Sequence, residues 1–305
     1  MELLECVKDF YAMKFKATNE NCFHIYGNSN ENINEYMNLF ELEGKKMFVI
    51  GSSFDQAINA SLERPSSITI LDKCPFTDYY RYLKMAALSE LNREEFVYFV
   101  CKRDFKQGDL NKSFIGKESF DKIKHTLRTF NYDSYYIWDE IIKTYSQREV
   151  SWLFHNGVSY LTEVIESNRY LLNDDNYYKA RKVIMDIPIN VINKDIVDYD
   201  FATDYDVIWL SNVFSWVIDV NLEKQIFGLA TNSLNEFGKI LFSYYWAELL
   251  DDEYNAIMDR HGVNLERHKL HGAMVSHWNY FKKRELKEDR KKREIKDYVL
   301  IYEKK

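Results

Sequence analysis

Met47-Phe48-Val49-Ile50-Gly51-Ser52-Ser53-Phe54-Asp55 is the stretch on which the fold turns. Four consecutive apolar residues, without polar alternation, read as a short strand buried on both faces. The small residues Gly51, Ser52 and Ser53 then predict a tight turn, and Phe54 to Leu62 reads as a helix. Ile68-Thr69-Ile70-Leu71 is a second buried strand, ending at Asp72, and Phe76 to Leu91 is an amphipathic helix. Strand, helix, strand, helix predicts a doubly wound parallel sheet, a Rossmann-like α/β fold.

Between residues 92 and 180 the strand signals vanish, while apolar residues recur at helical spacing, as in Phe120, Ile123, Leu127 and Phe130, and in Val158, Leu161, Val164 and Ile165. This predicts a helical insertion between the second and third strands. Strands resume at Asn190-Val191-Ile192, before Asp195, and at Val207-Ile208-Trp209-Leu210, before Ser211-Asn212. A helix over 220–235 precedes a strand at Ile240 to Tyr244, just after Gly238, and a pair at 272–278 and 297–303 would close the sheet as an antiparallel edge. The residues before the first strand read as polar and helical, with a turn cluster at 27–32. Only three prolines punctuate the chain, and no Pro/Gly/Ser-rich linker divides it. The expected organisation is an N-terminal helical segment, 1–44, and a Rossmann-like domain, 45–305, carrying the insertion at 92–180.

Composition narrows the function. The chain has 305 residues, 46% hydrophobic and 29% charged, an ordinary globular balance. Its 23 Tyr and 20 Phe occur beside abundant Asn, Lys and Ile, the bias of an AT-rich gene rather than of an aromatic cage. A formal net charge of -7 disfavours a nucleic-acid partner, whose phosphates call for clustered Lys and Arg. Cys6, Cys22, Cys74 and Cys101 lack CxxC spacing and read as free thiols in a reducing compartment. The acidic N-terminus does not resemble a signal peptide, and no apolar run reaches the ~18 residues of a membrane span, so a cytoplasmic protein is expected. Lys282 to Arg293, dense in basic residues, reads as a solvated face; a peripheral contact with anionic lipid is the alternative. His261, His268, His271 and His277 match no zinc spacing, and no metal is expected. His271 is a candidate base. Ser211 lacks the G-x-S-x-G frame of a hydrolase nucleophile.

In a doubly wound sheet the ligand sits at the carboxyl ends of the strands. Gly51, Ser52 and Ser53 would let a ligand approach the backbone, although the loop is not the dinucleotide G-x-G-x-x-G. Asp72, about 20 residues further on, is placed to accept hydrogen bonds from ribose hydroxyls. Its alternative role is to cap the next helix. Asp195 stands at the third strand's end, as an adenine-side acid or as a turn-stabilising residue.

Gly51 to Leu62, Ile68 to Pro75 and Tyr79 to Phe96 resemble the betaine-lipid 3-amino-3-carboxypropyltransferases, whose fold is similar to that of class I S-adenosylmethionine-dependent methyltransferases. Lys84, Ala86 and Ala87, with Leu91 and Phe96 beyond, match the family's Leu-Lys-Ala-Ala helix. Tyr136-Ile137-Trp138-Asp139 resembles an element of its helical insertion, and Leu210-Ser211-Asn212-Val213-Phe214-Ser215-Trp216 its fourth-strand segment. The likeness covers 45–100 well and 130–245 loosely. Ser53 and Phe54 stand where that loop favours Gly and Asp, and Lys73-Cys74 replaces Asn before Pro75.

The resemblance implies S-adenosylmethionine as cofactor. Gly51, Ser52, Ser53 and Asp55 would hold its amino-acid arm, Asp72 and Lys73 the ribose side, and Asp195 with Ile196 the adenine. Ser211 and Asn212 would lie at the reacting centre, and Tyr244 near the acceptor unless it is a plain core tyrosine. The reaction implied is transfer of the 3-amino-3-carboxypropyl group to a hydroxyl or amine of a small-molecule or lipid acceptor, releasing methylthioadenosine. Methylation of a small molecule, and cofactor binding without catalysis, are the alternatives on the same scaffold.

Overall fold

The computed structural model describes residues 5, 7–8, 25–29, 31–51, 53–101, 115–154, 161–201, 204–213, 219–244, 268–276 and 296–304. They form two compact units: one drawn from 1–30, 52–58 and 73–182, the other from 31–51, 59–72 and 183–305.

The second unit is a seven-stranded sheet. Its strands are β1 (Lys46–Ile50), β2 (Ser67–Leu71), β3 (Ile189–Ile192), β4 (Tyr205–Ser211), β5 (Leu234–Tyr244), β6 (His268–Ser276) and β7 (Lys296–Lys304). Their order is β3-β2-β1-β4-β5-β7-β6. The first five run parallel, and β7 lies antiparallel between β5 and β6. This is the Rossmann-like arrangement expected of class I S-adenosylmethionine-dependent methyltransferase folds, with strand order reversing between β1 and β4. Central strands are continuous apolar runs because both of their faces are covered, as in Val207 to Leu210, all fully buried.

One face of the sheet carries a core of Phe48, Ile208, Leu210 and Ile240 against Ile226, Phe227 and Ala230 of the helix Val220–Asn232 and against Ile196, Tyr199 and Phe201. Phe48 stacks on Tyr199 at 5.3 Å between ring centroids. Elsewhere in this unit Trp209 meets Tyr36 edge-on at 5.6 Å and Phe40 at 5.1 Å.

The first unit is helical. Its main elements are α3 (Phe76–Glu90), α4 (Arg93–Val100), α5 (Lys117–Phe130), α6 (Tyr132–Thr144), α7 (Gln147–Val150), α8 (Leu161–Ser167) and α9 (Asp174–Val183); earlier in the chain, α1 (Ile33–Tyr36) belongs to the sheet unit, and α2 (Asp55–Ser61) is divided after Ile58. The whole of the chain between β2 and β3 that is described is therefore helix or connection, as the lost strand periodicity predicts. Asn92 starts α4 with a reciprocal capping box to Glu95, and Asn131 caps α6 through the Ser134 amide. Phe120, Ile123 and Leu127 form the buried stripe of α5. Trp138 donates its indole N–H to the carbonyl of Tyr79 at 3.0 Å.

Several boundaries differ from expectation. The helix after β1 begins at Asp55 because Phe54 has a left-handed backbone, φ 66°. β5 begins at Leu234, well before Gly238, since helix and strand are joined by Ser233 alone. Gly238 is required there: a Cβ would lie 2.9 Å from the carbonyl of Asn235 and 3.2 Å from that of Asp206. β6 begins at His268, four residues before the expected start. Of the polar helical stretch expected before β1, residues 31–44 hold only α1 and a 3-10 turn at Met37–Leu39. His261, His277, Cys6, Cys22, Val158 and Lys282 to Arg293 lie outside the described residues.

Candidate functional site

Gly51, Asp72, Asp195 and Ser211 stand at or just beyond the carboxyl ends of the parallel strands β1, β2, β3 and β4. Ile50 pairs with Leu71, and Leu71 with Ile192, in the last regular row of β1, β2 and β3. Two backbone bonds carry that register one step further: Gly51 N–H donates to Leu71 O at 3.3 Å, and Asp72 N–H to Ile192 O at 3.1 Å. On the other side Val49 is level with Trp209, and β4 ends two residues on at Ser211, past a register irregularity between Trp209 and Ser211. Gly51, Asp72 and Asn193 thus form one row across the edge, and Ser211 ends the neighbouring β4. Small or polar residues cap four neighbouring strands whose interiors are apolar.

Asp72 and Asn193 are tied together, the Asn193 side-chain amide donating to Asp72 O at 3.5 Å. Asp72 is half-buried and Lys73 exposed. The N-cap position of α3 is Pro75, which supplies no side-chain cap. Asp195 does serve as a turn-stabilising residue: its carboxylate accepts from Val197 N–H at 3.3 Å at the start of the turn Ile196–Asp198. Ile196 is buried in the core beside Leu71 and Tyr199. Ser211 is buried with φ 53°, a left-handed backbone at a strand end, and Asn212 is half-buried. A non-glycine residue held there costs on the order of 1–3 kcal/mol and is met disproportionately at functional sites. Tyr244 closes β5 opposite Tyr298 of β7; only its backbone is described.

Ser52 lies outside the described residues. Beyond it, within the helical unit, Ser53 and Asp55 are fully buried. Ser53 Oγ accepts from the Asp55 amide at 3.3 Å. Asp55 Oδ1 accepts from Lys84 Nζ at 2.6 Å and from Tyr170 OH at 2.7 Å, while Oδ2 accepts from Ser29 N–H at 2.7 Å. Burial pushes the Lys84 ammonium below its usual range, opposed by the Asp55 charge. Burial and the neighbouring Asp55 carboxylate hold Tyr170 well above the usual phenol range, so it stays a donor.

The partners of Asp55, Lys84 and Tyr170, escaped the reading of the sequence as a site. A signal was present for one: Tyr80, Leu83, Lys84 and Ala87 share the buried stripe of α3, and a lysine there needs an acid. Cys74 and Cys101 are buried free thiols, and burial raises the Cys101 thiol far above its ordinary value. Among the described residues no cluster of His, Cys, Asp or Glu is arranged to hold a metal ion. None of their helices is long and apolar enough to cross a membrane.

The chain matches no protein-family model and no curated protein. Solved structures similar to it include the N-methyltransferase NodS from Bradyrhizobium japonicum WM9, at 8% identity and TM-score 0.38, with 89% of this chain and 93% of that chain covered. Another is a putative S-adenosylmethionine-dependent methyltransferase from Listeria monocytogenes, at 9% and 0.38, covering 90% and 98%. A third is a TehB-like S-adenosylmethionine-dependent methyltransferase from Corynebacterium glutamicum ATCC 13032 Kitasato, at 8% and 0.37, covering 100% and 98%. With scores this low they are a likeness only; the fold assignment rests on strand order.

Proposed function

We propose that this chain is an S-adenosylmethionine-dependent transferase, with the cofactor along the carboxyl edge of β1, β2, β3 and β4. The observation that supports this most is the row of Gly51, Asp72 and Asn193, with Ser211 ending β4 on the other side of β1, at the point where strand order reverses. The residues fit the group. The turn from Gly51 through Ser52 and Ser53 would admit the amino-acid arm. Asp72, half-buried with its backbone fixed to β3, would accept from both ribose hydroxyls, with Lys73 at the rim. Asp195 would face the adenine amino group, with Ile196, anchored in the core, beneath the ring.

When bound, the cofactor supplies a sulfonium that activates its attached carbons toward nucleophiles. The protein's part is to hold an acceptor in line, at about 3–3.5 Å, and to accept its proton. Ser211 and Asn212 are the side chains of this edge nearest the strand-order reversal, and Tyr244 ends the adjacent strand, so these three are proposed to face the acceptor. As to the group moved, aminocarboxypropyl transfer rests on the sequence resemblance, and methyl transfer fits the same cofactor residues.

Binding of S-adenosylmethionine to the purified protein is expected by calorimetry, and Asp72→Ala is expected to weaken it by about 100-fold or more, as loss of two charge-assisted hydrogen bonds would. No binding by the wild type would refute the proposal. Incubation with S-adenosylmethionine and cell extract then distinguishes the groups: methylthioadenosine as product means aminocarboxypropyl transfer, adenosylhomocysteine means methylation.

A further inference from the structure

The ion pair between Lys84 and Asp55 has no exposure at all. Burying two charges is costly, and an apolar pair of similar volume would usually serve stability as well or better. What the pair does supply is geometry. The ammonium has three N–H bonds and three acceptors: Asp55 Oδ1 at 2.6 Å, Ser53 O at 2.9 Å and Gly27 O at 3.2 Å. Two of these acceptors flank Phe54, whose φ of 66° is one that a bulky residue keeps only where its surroundings impose it. Lys84 therefore grips the strained residue from both sides.

The same groups hold a second segment. Tyr80 OH donates to Gly27 O at 2.6 Å, and the Ser29 amide donates to Asp55 Oδ2 at 2.7 Å. Gln56 Nε2 reaches Ser29 Oγ at 3.4 Å. Tyr170, from a 3-10 turn far along the chain, completes the shell around Asp55. All of these residues belong to the helical unit.

We infer that Lys84, Asp55 and Tyr170 are positioning residues, a buried clamp that sets the turn after β1 in its cofactor-binding shape and locks residues 27–29 to it. Asp55 then acts through the turn rather than on the cofactor, and the segment 27–29 becomes a condition for binding. This inference rests on the transferase reading for its ligand, but the clamp itself can be observed without one.

Tyr170→Phe and Tyr177→Phe are a matched pair for the test. Both tyrosines are fully buried, both rings contact Phe96, and both hydroxyls donate hydrogen bonds, but Tyr177 donates to the carbonyls of Leu88 and Leu91 instead of to Asp55. The full chain and both variants would be titrated with S-adenosylmethionine by calorimetry. Amide hydrogen exchange would be followed on the same three proteins without cofactor. The expected result is roughly tenfold weaker binding for Tyr170→Phe. Exchange at 27–29 and 53–58 should quicken together in that variant, and Tyr177→Phe should change neither. Equal effects of the two substitutions on binding would overturn the clamp, as would wild-type protection of both segments in Tyr170→Phe, or faster exchange there with unchanged affinity. If the wild type binds no S-adenosylmethionine, the transferase reading falls, and the exchange comparison alone decides the clamp.

Discussion

The polar cluster around α3 and the aromatic core on one face of the sheet are buried by different means. Around α3 the helical unit encloses a lysine, a carboxylate and tyrosine hydroxyls, each held by directed bonds. The sheet unit encloses Phe48, Ile208, Leu210 and Phe242, which interact by contact alone, and leaves Asp72 and Asp195 half-buried at its rim. Contact packing tolerates small changes of shape, whereas a buried ion pair fails if either member is lost. The helical unit thus trades tolerance for a fixed backbone at Ser53–Asp55, while the sheet unit presents small and polar residues at its strand ends.

This contrast can be broken or sharpened by measurement. Lys84→Met leaves a carboxylate buried without its cation and is expected to cost about 3–5 kcal/mol in urea unfolding. Adding Asp55→Leu should restore much of that loss without restoring cofactor affinity. If the double variant is as unstable as the two single losses combined, the pair stabilises the fold itself and the contrast fails.

Alkaline pH should act next. Tyr80, Tyr170 and Tyr177 are all held above the ordinary phenol value by burial. Below about pH 10 both folded and unfolded chains keep these protons; above it the unfolded chain loses them first. Stability should then fall with rising pH, by about 1.4 kcal/mol per unit for each such tyrosine. Denaturation series on either side of about pH 10 test this, and Tyr177→Phe should make the decline shallower. A slope unaffected by that substitution would mean the buried hydroxyl does not govern it. The smallest effect is expected in the sheet: Ile208→Val should cost about 0.5–1.5 kcal/mol and leave cofactor binding unchanged. A larger loss, or an altered affinity, would show that the sheet core is no more tolerant than the clamp.

The sheet was largely legible in the sequence because its strands are continuous apolar runs, and Asp72 was legible because it ends one of them. Phe54 was not, since its left-handed backbone is imposed by groups from distant parts of the chain. Nor was the start of β5: the turn formers Asn235 and Gly238 lie inside the strand, beyond the boundary that Ser233 alone makes. Tyr170 shows the same limit at the site. A tyrosine among 23 carries no sign that its hydroxyl meets a carboxylate 115 positions earlier.

The position of β7 has a consequence for how the molecule is made. Within the sheet β6 pairs only with β7, and β7 is also what joins β6 to β5. On the ribosome, β1 to β5 can assemble as soon as they emerge, while β6 must wait with both edges open until residues 296–304 have been synthesised. An open strand of nine residues is an invitation to pair with a neighbouring chain. The interval between synthesis of β6 and of β7 would therefore be aggregation-prone, and a message cut short within it would leave β6 without its partner.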